Sequence, residues 1–279
     1  MRVHLCGVRG STPAPGADFV HYGGHTSCLA LAHDDARVPT LVLDAGTGVR
    51  SVTGLLAGQA FSGTLLLTHL HWDHVQGIPF FSAADDERSH VQLLLPEQPD
   101  HAGAASVLER VMSPPHFPMI PSDLRGAWSF ETIAPGESRI CGFTVLAREI
   151  PHKGGRTFGY RISDEHSTLT YMPDHCPTSL GSGPDGCGEY HAAALELAQG
   201  TDALVHDAQL MPDELAEEGR FGHSSFEYPI ALGRRAGARR VVLFHHRPDR
   251  TDAVLAELAE RLAGDTDVSL AVQDSVLEL

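Results

Sequence analysis

The feature that most limits this chain is the run His69-Leu70-His71-Trp72-Asp73-His74, which follows directly on Leu65-Leu66-Leu67-Thr68. A short apolar segment of this kind reads as a buried strand, so three imidazoles and a carboxylate sit at its carboxyl end. Side chains at i and i+2 of an extended segment project to one side, which lets His69 and His71 grip one ion; a turn into a helix then aims Asp73 and His74 at a second. A hydrophilic loop that happens to hold histidine is the plain alternative, but packing gives no reason to collect these residues after an apolar strand. Zinc–imidazole bonds of ~2.0–2.1 Å need neutral rings, and this loop alone cannot close two coordination spheres. More ligands must come from elsewhere.

Histidine is in excess, at 18 of 279 residues, and an acidic chain with few cysteines binds metal through imidazole and carboxylate. Cys6, Cys28, Cys141, Cys176 and Cys187 are scattered and never in C-x-x-C spacing, which indicates neither a disulfide framework nor a thiolate zinc site. Twenty Lys+Arg against 36 Asp+Glu give a formal charge of -16, which repels a polyanion over most of the surface and favours a small substrate. No apolar run approaches the ~20 residues of a membrane span, and the beginning, MRVHLCGVRG, has no apolar signal stretch. A soluble, cytoplasmic protein is expected.

Short β-runs are expected at Val3–Cys6, Ser27–Ala32, Thr40–Leu43 and Thr64–Thr68, with helices over Gly46–Ala57, after the histidine run, and near Ala104–Met112. From about Phe130 the pattern begins again. Strands are expected at Arg139–Ile150, Thr157–Ile162, Leu169–Met172, Ala203–Val205 and Arg240–Phe244, and helices at Tyr190–Gln199, Phe226–Ala236 and Thr251–Leu262, the last with Val254, Leu255, Leu258 and Leu262 on one stripe. Two such halves imply two sheets packed face to face with helices outside. The expected architecture is a single α/β domain over 1–279, with half-domains of roughly 1–129 and 130–279. Ser113–Asp123 and Cys176–Gly188 are long irregular stretches of the kind that form lids or disordered segments.

The second half supplies candidate ligands at strand ends: His152 after Ile150-Pro151, Asp174 after Met172-Pro173, and His245 after Phe244. Adjacent residues compete at three of these places, as His175 beside Asp174, His206 beside Asp207, and His246 beside His245. His4, His21, His25, His33, His90, His101, His116, His166 and His191 lack ligand spacing and read as loop, surface or packed residues, although His25 and His116 can line the cleft. Lys153, Arg156, Arg247 and Arg250 lie near candidate ligands and are candidates to meet a substrate anion.

Taken together, these residues resemble the metallo-β-lactamase superfamily, and within it the branch containing tRNase Z and the cyclic-phosphate phosphodiesterases. The resemblance spans nearly the whole chain. It rests on Gly7-Val8-Arg9-Gly10-Ser11, Gly23-Gly24-His25-Thr26-Ser27-Cys28, Leu43-Asp44-Ala45-Gly46-Thr47-Gly48, the 69–74 run, Phe158-Gly159-Tyr160-Arg161, His206-Asp207-Ala208 and Gly222-His223-Ser224-Ser225. It implies a four-layer αββα sandwich of two mixed sheets with helices on the outer faces.

It also implies two divalent ions per chain, with zinc the first expectation and manganese, iron or cobalt the alternatives that the ligand types allow. One ion would take His69, His71 and His152, the other Asp73, His74 and His245, with Asp174 between them and a shared hydroxide as nucleophile. Asp73 would in addition hold the nucleophile's proton. His223 resembles the family's histidine that protonates the leaving group, oriented by Asp207; its plain alternative is a helix-start residue beside a Ser224 or Ser225 cap. The implied activity is hydrolysis of a small cyclic or linear phosphodiester. Precursor-tRNA processing, and hydrolysis of a lactone, thioester or β-lactam, are the alternatives on the same centre, and a homodimer is the expected assembly.

Overall fold

The computed structural model describes residues 1–100 and 102–279; His101 lies outside the described residues. Strands β1 (Arg2–Gly7), β2 (Cys28–Ala32), β3 (Leu41–Leu43), β4 (Ser62–Leu66), β5 (His90–Pro96) and β6 (Ala127–Ile133) come first. They are followed by β7 (Gly136–Ile140), β8 (Phe143–Ile150), β9 (Thr157–Ser163), β10 (Thr168–Met172), β11 (Ala203–Asp207), β12 (Val241–Phe244), β13 (Val268–Leu270) and β14 (Val276–Glu278). Two mixed seven-stranded sheets result, in the orders β14-β1-β2-β3-β4-β5-β6 and β13-β12-β11-β10-β9-β8-β7.

Period-two alternation explains why they stack. In the first sheet Leu29, Leu31, Leu41, Leu43, Leu66 and Leu94 face the second sheet, where they meet Val145, Phe158, Tyr160, Tyr171, Val205 and Phe244. Their neighbours Cys28, Ala30, Val42, Leu65 and Leu93 face outward onto helices α1 (Val49–Leu55), α2 (Trp72–Val75) and α3 (Ala104–Glu109). On the other side Leu204, Val241 and Leu243 face α4 (Ala192–Ala198), α6 (Glu227–Ala236) and α7 (Asp252–Arg261), with the short α5 (Leu215–Glu218) between α4 and α6 in the chain. The expected αββα sandwich is therefore present, with its central core between the sheets.

Several expectations need correction. Arg139–Ile150 is a hairpin rather than one strand: Cys141 and Gly142 both adopt positive φ and turn β7 back onto β8. The division near 129/130 falls inside β6, which pairs in parallel with β5 and so belongs to the first sheet, and β14 returns from the far end of the chain to pair with β1. Val254 does not join the buried stripe of α7; it is 36% exposed, while Leu255 and Leu258 are buried. Among the described residues no helix is long and apolar enough to cross a membrane.

Candidate metal centre

Strands β3 and β4 are parallel, as are β10, β11 and β12, and β8 runs in the same direction as β10 through two antiparallel pairings. Their carboxyl ends meet at one rim, the usual place for a site in such sheets. The rim receives His69–His74 after β4, His152 after β8, Asp174 after β10 and His245 after β12. All seven predicted ligands are brought together there: His69, His71, His152 and Asp174 form one group of converging ligand atoms, and Asp73, His74 and His245 another.

Asp174 divides the two groups. Its Oδ1 lies 3.5 Å from His152 Nε2 and 3.9 Å from His69 Nε2, whereas its Oδ2 lies 2.9 Å from His74 Nε2 and 3.3 Å from His245 Nε2. On the second side Asp73 Oδ2 lies 3.1 Å from His245 Nε2 and 3.3 Å from His74 Nε2. His71 Nδ1 is 3.2 Å from His152 Nε2 on the first.

Three of the rings are turned by a partner behind them. His152 Nδ1 donates to the Gly222 carbonyl at 2.6 Å, so its Nε2 keeps a lone pair toward the rim. His74 Nδ1 donates to Asp44 Oδ2 at 2.8 Å. The Thr68 hydroxyl donates to Asp44 and accepts from His69 Nδ1 at 3.1 Å. Partners of this kind fix tautomer and ring direction at metal sites. Ser11 N–H donates to Asp73 Oδ2 at 2.6 Å.

The polar chemistry fits a cation. His69 Nε2, His74 Nε2 and Asp174 Oδ2 are buried and make no hydrogen bond; His74 and Asp174 are close but misaligned for one. An unsatisfied buried polar atom costs about 1–3 kcal/mol, so three at one point call for a ligand that accepts lone pairs. Burial pushes His69 well down and His152 down to about 4, the neutral forms that ligate. At His74 burial is outweighed by Asp174, Asp73 and Asp44, which raise its pKa; a cation displaces such a proton. The donor set around His69 and Asp174 suits a divalent metal ion on these grounds.

His223 stands beside the ligands, with Nδ1 3.0 Å from Asp207 Oδ2 and 3.7 Å from Asp174 Oδ1. Burial disfavours its cation, but Asp207, Asp174 and Asp73 outweigh burial and raise its pKa to about 9. The helix-cap alternative is not realised: Ser224 Oγ donates to the Asp207 carbonyl at 2.7 Å, and no side chain caps α6. His246 turns the other way and donates from Nε2 to the Ala271 carbonyl.

Of the cationic candidates, Arg156 is held by Glu149 and Arg250 by Glu214. Arg247 pairs with Asp249 and Glu214 while lining the cleft next to His223, and Lys153 donates to the Arg220 carbonyl. His25 bonds Thr47, and His116 lines an apolar pocket behind Trp72. Asp44 lies in the Leu43–Gly48 motif, for which sequence alone assigned it no role. Its signal was a buried acid at the end of an apolar strand, and its positive φ lets one carboxylate serve Thr68, His74 and Tyr171.

The sequence model described as "Beta-lactamase superfamily domain" matches residues 40–246. The Ribonuclease Z of Methanothermobacter thermautotrophicus is 24% identical, over 96% of this chain and 94% of that protein. Among solved structures, the zinc-bound PqqB of Methylobacterium extorquens superposes with a TM-score of 0.71 at 17% identity, covering 100% of both chains. A new diphosphatase from the PhnP family superposes with a TM-score of 0.69, at 17% identity over 100% of this chain and 97% of that one. With the family's sequence model spanning most of the chain and the two-sheet sandwich carrying His and Asp at one rim, this chain belongs to the β-lactamase superfamily.

Proposed function

We propose that this chain is a metal-dependent phosphodiesterase, working as one unit over 1–279 with two divalent ions, zinc first, on a small cyclic or linear phosphodiester. The observation that carries the reading is the split of Asp174, one oxygen toward His69 and His152 and the other toward His74 and His245. When bound between these sets, divalent ions supply Lewis-acid activation of water and neutralise charge growing on the phosphoryl oxygens. Asp73, fixed by the Ser11 N–H, is placed to hold the proton that the attacking water gives up. The water oxygen forms a bond to phosphorus as the bond to the leaving alkoxide breaks.

His223 then gives the alkoxide a proton. Asp207 accepts from Nδ1, which leaves Nε2 as the nitrogen that hands the proton over. The relatives named Ribonuclease Z favour a second reading, cleavage of precursor tRNA, against which stands the formal charge of -16. Hydrolysis of bis(p-nitrophenyl) phosphate, precursor tRNA and a lactone panel, with Zn, Mn, Fe and Co supplied separately, separates these. The proposal expects the small diester to turn over; turnover of only the lactones or only the tRNA contradicts it.

A further inference from the structure

Trp72 is 73% exposed, although it sits between two residues whose side chains point into the metal centre. The geometry of α2 explains this: His71 is its N-cap residue and Asp73 its second helical residue, so both turn inward and the indole between them is forced onto the rim. Exposed indole surface of this size forgoes the burial that stabilises most tryptophans, and such patches mark binding sites.

The indole is a wall shared by two cavities. On one side is the cleft of about 350 Å³ over the metal centre, lined also by His71, Asp73, Asp174 and His223. On the other is a pocket of about 550 Å³ between α2 and α3, walled by Ile78, Phe80, Val111, Met112 and Phe117. Phe80 and Val111 are 55% and 39% exposed, and the Phe80 and Phe117 rings stand edge to face at 6.0 Å. Arg110 is committed to Asp100 at 2.6 Å, and apart from Gln76 and His116 the walls that remain are apolar.

The metal cleft has a second neighbouring cavity, which shares Ser11 and His223 with it and is lined also by Phe221 and Arg247. His223 is thus shared between the cleft and this cavity, and Trp72 between the cleft and the apolar pocket. Resting on the phosphodiesterase reading, in which His223 protonates the leaving alkoxide, the substituent that stays on phosphorus is directed to Trp72. We infer that Trp72 and the pocket behind it form the subsite for that retained substituent, and that it takes a flat aromatic ring, aryl or nucleobase. The pocket volume falls in the range that encloses a small ligand, and its concavity suits one ring system better than the broad face, about 800 Å² per partner, that a second copy of the chain would need.

Calorimetric titration of the metal-loaded protein with phenylphosphonate and methylphosphonate tests the subsite without turnover. Wild type is expected to bind the phenyl compound roughly tenfold more tightly. Trp72→Ala should lose most of that preference, and Trp72→Phe should keep most of it. A preference absent from wild type, or unchanged in Trp72→Ala, overturns the subsite, and a Trp72→Ala protein that keeps the preference but changes its sedimentation marks the patch as an interface between copies. Turnover of p-nitrophenyl esters with methyl, phenyl and thymidine as retained groups tells the aryl from the nucleobase source. Failure of all three esters beside an intact binding preference sinks the phosphodiesterase reading and leaves the ring subsite standing.

Discussion

His69, His74, His152 and His245 turn a ring nitrogen toward Asp73 or Asp174, whereas His175, His191 and His206, from the same rim, turn theirs toward one another. In the second group one backbone carbonyl orders everything. Asp207 O accepts from His206 Nδ1 at 2.8 Å, so His206 Nε2 accepts from His175 Nδ1 at 2.9 Å, and His175 Nε2 accepts from His191 Nε2 at 2.8 Å. Burial lowers all three pKa values, to about 4 at His206, as a chain of neutral rings requires. The two groups have similar composition and location. What separates the two groups is where the inward nitrogens find partners: His69 and His74 have none, those of His152 and His245 reach only the candidate ligands His71 and Asp73, and both nitrogens of His175 bond histidines outside the centre.

The contrast breaks most sharply at Asp174. Asp174→Ala should release metal, seen by elemental analysis, and lower kcat/KM by at least roughly 10³-fold. Retained metal with retained turnover would erase the distinction. His223→Ala should cost on the order of 10²–10⁴-fold in kcat at unchanged metal content, because His223 moves a proton and is no ligand in this account.

Asp207→Asn sharpens the same point through pH. Asp207 favours the His223 cation, so the acid form is present below its raised pKa of about 9 and lost as pH rises through it. Removing the carboxylate's charge lowers that pKa, and the alkaline limb of the kcat profile should move to lower pH. A limb that stays in place assigns it to another group. The smallest effect on chemistry belongs to the second histidine group: His206→Ala should leave metal content near wild type and cost about 1–3 kcal/mol of stability in denaturant titration, by orphaning His175 Nδ1.

Much of the centre was legible because its first half is local. The 69–74 run needs only the geometry of one strand end, and each later ligand follows an apolar strand directly. The strands β5, β6, β13 and β14 were not read. β6, β13 and β14 lie at sheet edges, where half-exposed residues leave little alternation to see, and the burial of β14 is set by its pairing with a segment some 270 residues away. The histidine chain through His191 was equally hidden, since His191 enters from a loop before α4 and meets His175 only in the folded molecule. His245 adopts φ 62, a left-handed turn that sequence does not announce, and that turn decides which of His245 and His246 faces the rim.

The central claim is that Asp174 stands between two cation sites, and anomalous diffraction from crystals grown with manganese or zinc measures it directly. Two peaks about 3.5–4 Å apart are expected, one beside His69, His71 and His152 and the other beside Asp73, His74 and His245. A single peak, or one seated among His175, His191 and His206, would contradict it.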